Sequence, residues 1–384
     1  MSERRYDIDW IRVIVFDILI FWHVGLFFVA WGNQVEWDLP IKNNEQVTWL
    51  FWPMMFIRQW RLSILFLISG LGTCFSLSSK SGLTYLKERF IRLFLPLLTA
   101  IFIIVPPQVY LEKLAQGRVA VSFFQYYPST FQGVYPEGNF SWGHLWFIAY
   151  LLVMSVATLP LFLYLRSKGS RFFHLLSHLI HKSPFYLYVF CLPLLFIEIS
   201  LQKRFPLTMD LTNDWYAFSY YFICFLGGFI LANLEKTIWN AFVKIRYFSL
   251  LFGIIASVPV ILMIAKGESP LWIQVVKPLN VWSWILAIFG FGSKYLNRKS
   301  AILSYRNAAV YPFYILHFTI TLFLGYLIKD TAMHYALKML LMIIGTYGIS
   351  FIFYEFVIRR IAFLQPFFGI KVKSSSLVRI LSQG

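Results

Sequence analysis

Charged residues are scarce in this 384-residue sequence, where Asp, Glu, Lys and Arg together make up only 13% against 59% hydrophobic residues. Soluble domains carry about 25% charged residues, so water is not the main solvent of this chain. No stretch is polar enough for a separate soluble domain, and the longest polar one covers 112–141. We therefore expect a single membrane domain over 1–370, followed by a basic cytoplasmic tail at 371–384.

Several motifs of known enzyme classes are also missing. The sequence has no His-Glu-x-x-His run, no Cys-x-x-Cys pair, no Gly-x-Ser-x-Gly turn and no phosphate-cradling glycine loop. Metal-dependent hydrolysis, a serine hydrolase triad and an ATP-driven pump therefore lose support, and we expect no metal. Only three cysteines occur, all within apolar runs, which argues against a disulfide framework.

Long apolar runs recur along the whole chain. Lipid accepts only segments whose backbone is hydrogen-bonded internally, so these runs predict helices rather than open sheet. The sequence predicts an all-α polytopic membrane protein with about ten spanning helices. Their expected positions are 9–31, 48–78, 91–111, 142–165, 184–200, 215–234, 247–265, 279–295, 307–328 and 335–358.

The net charge of +17 is distributed unevenly between the loops. Most Lys and Arg residues fall in alternate loops, and the first and last of these basic regions are the two ends of the chain. Cytoplasmic loops of membrane proteins carry this excess, so we expect both termini to be cytoplasmic. The same rule explains the charge without a nucleic-acid partner.

Helix 1 carries two ionisable residues in register. Arg12 and His23 are eleven residues apart, which is about three turns plus 20°, so both project from nearly one face about 16 Å apart along the axis. Arg12 would lie at the cytoplasmic boundary and His23 beyond the middle of the membrane. Asp17 is about 140° around from Arg12, and we interpret it as a packing partner for another helix. A snorkelling arginine and a packed histidine would explain the pair equally well.

Four more arginines are candidates for binding or catalysis. Arg89 and Arg92, one helical turn apart before Pro96, suit phosphate oxygens, although basic residues at a cytoplasmic helix end are also expected from topology alone. Arg61 falls near the middle of the second span, where an unpaired cation is costly and should meet an anion or a carbonyl. Arg58, one turn outward, is expected to line an outer vestibule.

Two histidines and two further polar or aromatic residues are candidates for substrate binding. His144 and Trp146 open the fourth span, and His317 lies within the ninth. A structural role explains these histidines about as well as a functional one. Glu198 lies at the outer end of the fifth span. Glu355, near the end of the last span, is expected to pair with a basic residue.

Taken together, these residues resemble the acyltransferase-three family of bacterial inner-membrane enzymes. The resemblance extends over nearly the whole chain, and Asp17 departs from it where an apolar residue is expected. Within the family, the length, Arg61 and the ending of the chain are most similar to members that succinylate periplasmic glucans. The matching segments are Asp9-Trp10-Ile11-Arg12 with His23, Phe66-Leu67-Ile68-Ser69-Gly70, Arg89-Phe90-Ile91-Arg92 with Pro96, His144-Leu145-Trp146-Phe147 and Tyr314-Ile315-Leu316-His317.

The resemblance implies an acyl-CoA-dependent O-acyltransferase. It implies that an acyl group, such as succinyl or acetyl, passes from cytoplasmic acyl-CoA to a polysaccharide or glucan hydroxyl across the lipid bilayer. Arg12, Arg89 and Arg92 would hold the CoA phosphates, and His23 would act as general base. Arg61 would stabilise the oxyanion or bind the distal carboxylate of a dicarboxylic acyl group.

A proton-coupled transporter or flippase of an anionic solute is the alternative, with Asp17, His23 and His317 relaying protons. It predicts inverted repeats with broken helices, which the sequence does not show. The sequence leaves open whether His23 is itself acylated during the reaction. It also leaves the oligomeric state open, a homo-oligomer included.

Overall fold

A computed structural model describes residues 4–31 and 39–370 of the chain. These residues are mostly helical, and within them extended pairing is limited to the isolated bridges Val29–Val47 and Val134–Phe140. The all-α fold class predicted from the sequence is confirmed for this part of the chain. The basic tail expected at 371–384 lies outside the described residues.

Twelve helical segments organise the described residues. They are α1 Tyr6–Leu26, α2 Thr48–Ser78, α3 Gly82–Ala115, α4 Gly143–Ala157, α5 Leu159–Lys168, α6 Ser170–Lys182, α7 Pro184–Leu201, α8 Trp215–Ala232, α9 Glu235–Ala265, α10 Leu271–Tyr295, α11 Ala301–Ile328 and α12 Tyr335–Ile358. Helices α4 and α5 meet at a bend of 48° and match one predicted span. Short helical turns at Phe123–Tyr126, Tyr127–Phe131 and Ala362–Phe368 lie in the connections.

In the described residues, eight helices are long and apolar enough to cross a membrane, or nine if the bent pair counts as one span. The one remaining predicted span, 9–31, corresponds to α1, whose charged residues Asp7, Asp9, Arg12 and Asp17 leave it without a long uncharged apolar stretch. Its 21 residues are about 31 Å long, enough to cross a hydrocarbon core. We treat α1 as a membrane helix because it packs among α2, α10 and α11.

Prolines widen α3 where it carries the two candidate arginines. Pro96 has no N–H to donate to the carbonyl of Arg92, and the backbone is π-helical over Phe90–Phe94. A second π-helical turn, Ala100–Ile104, precedes Pro106. The carbonyl of Phe102, four residues before Pro106, instead accepts a hydrogen bond from Tyr127 Oη at 2.8 Å. The widened turns change the direction in which α3 presents its side chains.

Two glycines let α2 and α8 touch backbone to backbone. A Cβ on Gly70 would lie 2.0 Å from the carbonyl oxygen of Phe225, and one on Gly228 would lie 2.0 Å from that of Leu67. Small residues of this kind permit the close helix packing that is common in membranes. This contact fixes the position of α2, which carries Arg61, relative to α8, which carries Tyr221.

Two helix boundaries differ from the prediction in ways that affect the site. The first helix ends at Leu26, and the buried residues 27–29 turn so that Val29 pairs with Val47 instead of continuing to residue 31. Helix α10 begins at Leu271 rather than at 279, so Lys277 lies within the helix and not in a loop. A proline such as Pro278 usually marks a helix start or a kink, so the sequence does not indicate that the helix continues on its N-terminal side.

Candidate active site

A cavity of about 300 Å³ lies between α1, α2, α4, α8, α10 and α11. This volume is at the lower end of the range for small-molecule sites, about 300–1,000 Å³. Five predicted site residues line it: His23, Arg58, Arg61, His144 and Trp146. His317 lies directly behind His23, and Glu198 lies behind Lys277, which also lines the cavity.

His23 and His317 form a hydrogen-bonded pair, with His23 Nδ1 and His317 Nε2 3.1 Å apart. The other nitrogen of His317, Nδ1, faces the carbonyl oxygens of Tyr314 at 2.7 Å and Phe313 at 3.2 Å. Carbonyls only accept, so we assign the proton of a neutral His317 to Nδ1, and its Nε2 then accepts from His23 Nδ1–H. This arrangement leaves His23 Nε2 unprotonated, the form that a general base requires.

His144 supports this pair from α4. Its Nε2 is 3.0 Å from the carbonyl of Tyr314, so it donates there, and Tyr314 Oη donates to the carbonyl of His144 at 2.7 Å. Gln108 Nε2 lies 3.4 Å from the remaining nitrogen, Nδ1. His144 therefore lines the cavity with both ring nitrogens already facing protein partners, and it holds the backbone carbonyl that orients His317.

Arg61 is a buried cation with few partners. Its side chain is 4% exposed, and its Nε and Nη1 have no hydrogen-bond partner. The guanidinium lies over the ring of Trp22, with Cζ 3.4 Å from the ring centroid, and Trp22 Nε1 donates to the carbonyl of Met54 at 3.0 Å. Arg58, half-buried one turn away on α2, adds a like charge to the same wall.

Glu198 is fully buried and engaged with neighbouring helices. Lys277 Nζ lies 2.7 Å from Glu198 Oε1, and Tyr216 Oη donates to Oε2. Lys277 also donates to Tyr216 Oη at 3.1 Å. The predicted residue Glu198 therefore compensates the charge of Lys277, and Lys277 and Tyr216 are the members of the group that reach the cavity.

Arg12, Arg89 and Arg92 converge at the other end of α1. Arg12 lies close to Arg92, and Arg92 lies close to Arg89 and Tyr311, so that their charges interact. Arg12 donates to Asp9 Oδ1 at 2.8 Å and to Asn307 Oδ1, and Arg89 donates to Thr73 Oγ1 at 2.8 Å. The side chain of Arg92 is exposed. Three cations from α1 and α3 thus share one surface, which suits a polyanion such as linked phosphates.

Two acidic residues have the partners that the sequence predicted. Asp17 pairs with Arg306 on α11 and accepts a hydrogen bond from Tyr347 on α12 at 3.1 Å, so it does join α1 to other helices. Glu355 pairs with Arg359 at 2.8 Å. Neither residue lines the cavity.

Sequence reasoning missed Lys277, Tyr221 and Tyr311. Tyr221 lines the cavity near Arg61, and Tyr311 is next to Arg89 and Arg92 with its hydroxyl buried and without a partner. The tyrosines had no distinguishing signal among 22 in the sequence, since aromatic residues near span ends usually form the interfacial belt. Within the described residues, no group of three His, Cys, Asp or Glu side chains could hold a metal ion.

Comparisons with known proteins agree over most of the chain. A family model described as an acyltransferase domain matches residues 5–355. Glucans biosynthesis protein C of Escherichia coli O81 (strain ED1a) is 25% identical over 374 residues, covering 93% of this chain and 92% of the relative. The proteins of the same name from Escherichia coli (strain K12) and Shigella dysenteriae serotype 1 (strain Sd197) are each 24% identical with the same coverage. No solved structure matches significantly.

Proposed function

The chain belongs to the acyltransferase-three family of membrane acyltransferases, and on that premise we propose that it transfers an acyl group from cytoplasmic acyl-CoA to a glucan hydroxyl outside the membrane. The observation that carries this proposal is the His23–His317 pair, which leaves a basic nitrogen of His23 at a cavity inside the helical bundle. The family and the named relatives support a transferase rather than a transporter.

His23 is the proposed general base. Its Nε2 takes the proton from the glucan hydroxyl as the oxygen attacks the thioester carbon. The C–S bond then breaks, an ester forms, and the CoA thiolate leaves and receives the proton held by His23. His317 accepts from His23 Nδ1–H throughout, which orients the ring and stabilises the imidazolium formed during the transfer.

Arg12, Arg89 and Arg92 are the proposed site for the phosphates of CoA. Their convergence at one end of α1, with the buried hydroxyl of Tyr311 beside them, supports this assignment. His23 lies eleven residues along the same helix, about 16 Å away along the axis, so an extended pantetheine arm would run beside α1 to bring the thioester to the cavity. No metal takes part in the proposed reaction.

The relatives and the cavity support a choice of acyl group and acceptor. The proteins named Glucans biosynthesis protein C point to a glucan acceptor, and the cationic cavity favours an anionic acyl group such as succinyl. His144 holds the backbone of Tyr314 in place, and Trp146 forms an aromatic wall for the acceptor. Arg58 and Lys277, which pairs with Glu198, lie at the edge of the cavity. A multi-pass enzyme of this kind would reside in the bacterial inner membrane, with the glucan on its periplasmic side.

The test is the release of free CoA by purified protein in lipid vesicles with succinyl-CoA and glucan, together with ester formed on the glucan. The wild type is expected to yield both products. His23→Asn should keep the hydrogen bond to His317 but lacks a base, so its rate should fall by roughly 10²–10⁴-fold. His181→Ala, an exposed histidine on α6, is the matched control and should keep wild-type activity.

A second donor tests the CoA site in the same assay. Arg92→Gln should raise the KM for succinyl-CoA but leave the KM for the succinyl thioester of N-acetylcysteamine unchanged, because this truncated donor has no phosphates.

Full activity of His23→Asn would disprove the general-base assignment. An equal KM change for both donors would disprove the phosphate site.

A further inference from the structure

The connection between α7 and α8, residues 202–214, closes one end of the cavity. Leu207 and Met209 line the cavity, whereas Pro206 and Thr208, which alternate with them, are exposed. The connection therefore has one face on the cavity and the other on the surface of the protein. The positive-inside rule predicts that this surface faces the outside, where the glucan acceptor is.

The backbone of Met209 is held in an unfavourable conformation. Its φ is +58°, in the left-handed region that a residue with a Cβ rarely adopts. Such a conformation persists only where the surroundings impose it, and it is common at ligand clamps and active sites. Met209 N–H donates to Asp214 Oδ2 at 3.2 Å, and the Met209 carbonyl accepts from Trp142 Nε1 at 3.0 Å. Both backbone polar groups of Met209 are thus fixed.

Tyr150 on α4 fixes the same turn. Its hydroxyl lies 2.7 Å from Asp214 Oδ2 and 2.8 Å from the carbonyl of Asp210, the residue after Met209. Tyr150 itself is fully buried, and α4 also carries His144, which supports the His23–His317 pair. The position of Met209 at the end of the cavity is therefore set by the same helix that supports the proposed base.

Water is the nucleophile that competes with a glucan hydroxyl at such a base. If water reaches the thioester carbon, His23 can take a proton from it as it attacks. The C–S bond then breaks, the acyl group becomes a free carboxylic acid, and the CoA thiolate receives the proton. Transfer to glucan therefore requires that water be kept from the cavity until the acceptor arrives.

We propose that Met209 covers the outer end of the cavity and determines that the acyl group passes to a glucan hydroxyl rather than to water. The inference rests on the proposed function, since it concerns the nucleophile that His23 activates. The methionine side chain is apolar and unbranched with three rotatable bonds, so it excludes water when the acceptor is absent and is displaced by a sugar that enters. Met209 is thus a specificity-determining residue.

The measurement is the amount of glucan ester formed for each CoA released, a ratio that does not depend on how much of the protein folds. In the wild type nearly all released CoA should appear as ester, and little CoA should be released without glucan. Met209→Gly removes the cover and adopts a positive φ without strain, so CoA release without glucan should rise by roughly 10-fold. Met209→Leu keeps an apolar side chain of similar size and should retain the wild-type ratio.

Trp142→Phe tests how Met209 is held. This change keeps an aromatic ring but removes the hydrogen bond to the Met209 carbonyl, and Trp142 does not line the cavity. CoA release without glucan should rise, by less than in Met209→Gly. Glu235→Gly is the matched control, because Glu235 is an exposed residue of α9 that also has a positive φ, of +48°, and does not line the cavity. It should leave the ratio unchanged.

The outcomes separate this inference from the proposed function. If Met209→Gly retains the wild-type ratio, or if Glu235→Gly lowers the ratio as much as Met209→Gly does, the inference is wrong and the acyltransferase function stands. Rapid CoA release by the wild type without glucan, together with ester formation when glucan is added, would also overturn the inference alone. Absence of ester with every acyl-CoA donor would overturn the function and the inference together.

Discussion

The partners of His317 decide which nitrogen of His23 is free to act. His317 Nδ1 faces two backbone carbonyls, and its Nε2 is 3.1 Å from His23 Nδ1. Removing His317 takes away this acceptor of His23 Nδ1–H and lets the ring adopt the other tautomer, in which Nε2 carries the proton. His317 is thus a positioning residue whose loss should affect chemistry more than binding.

We predict that His317→Ala lowers kcat by roughly 10²-fold or more while the KM for the acyl donor changes little. His317→Gln, whose amide oxygen can accept from His23 Nδ1–H, should recover part of the rate. The measurement is the dependence of kcat on pH for wild type and both variants. A role confined to stability would lower the yield of folded protein and leave the pH profile of the folded fraction unchanged.

The sequence was sufficient to predict some features of the candidate site and not others. Helix geometry alone places Arg12 and His23 on one face and turns Asp17 towards a different neighbour, because all three residues lie on α1. The contact between His23 and His317 joins residues 294 positions apart and depends on how α1 packs against α11. The predicted span begins at 279, so Lys277 was assigned to the loop before it, whereas the helix begins at Leu271.

At the scale of the helix, the contact between α2 and α8 positions Arg61. Gly70 packs against the Phe225 backbone, so we predict that Gly70→Ala separates the two helices and destabilises the protein by about 1–3 kcal/mol or more. The rate of succinyl transfer should also decrease, because Arg61 and Tyr221 lie on the two helices that move apart. Thermal unfolding in detergent and the transfer assay measure the two effects.

Gly72 provides the control on the same helix. A Cβ at Gly72 meets nothing within 4 Å, and alanine favours the helix over glycine by about 1 kcal/mol. Gly72→Ala should therefore be neutral or slightly stabilising, with unchanged transfer. Equal behaviour of the two variants would show that the backbone contact does not govern the position of α2.

The helices themselves could be predicted better than their ends. Apolar length predicted the eight or nine helices of the described residues that could cross a membrane, because burial in lipid leaves few alternatives to a helix. The all-α class and the family are confirmed. The π-helical turns of α3 and the early end of α1 at Leu26 depend on tertiary partners, such as the bridge between Val29 and Val47. Such partners leave no periodic signal in the sequence.

At the scale of the whole molecule, the proposed reaction requires a fixed orientation in the membrane. The arginines that would hold CoA must face the cytoplasm, where acyl-CoA is made available, and the cavity must be reached by the acceptor from the other side. The positive-inside rule predicts this orientation from loop charge, with both termini cytoplasmic. The connections on either side of α10 belong to opposite faces of the bundle, since α10 is one continuous helix from Leu271 to Tyr295.

Single cysteines in these two connections test the orientation directly. After replacement of Cys74, Cys191 and Cys224 by alanine, Glu268→Cys should react with a membrane-impermeant maleimide added to intact spheroplasts, because residue 268 precedes α10 on the predicted outer side. Ser300→Cys, between α10 and α11, should react only after the membrane is opened. The reverse pattern would place Arg12, Arg89 and Arg92 outside and contradict a cytoplasmic CoA site. Labelling of both cysteines in sealed cells would mean that the chain inserts in two orientations, and only the molecules with Arg12 inside could then use cytoplasmic acyl-CoA.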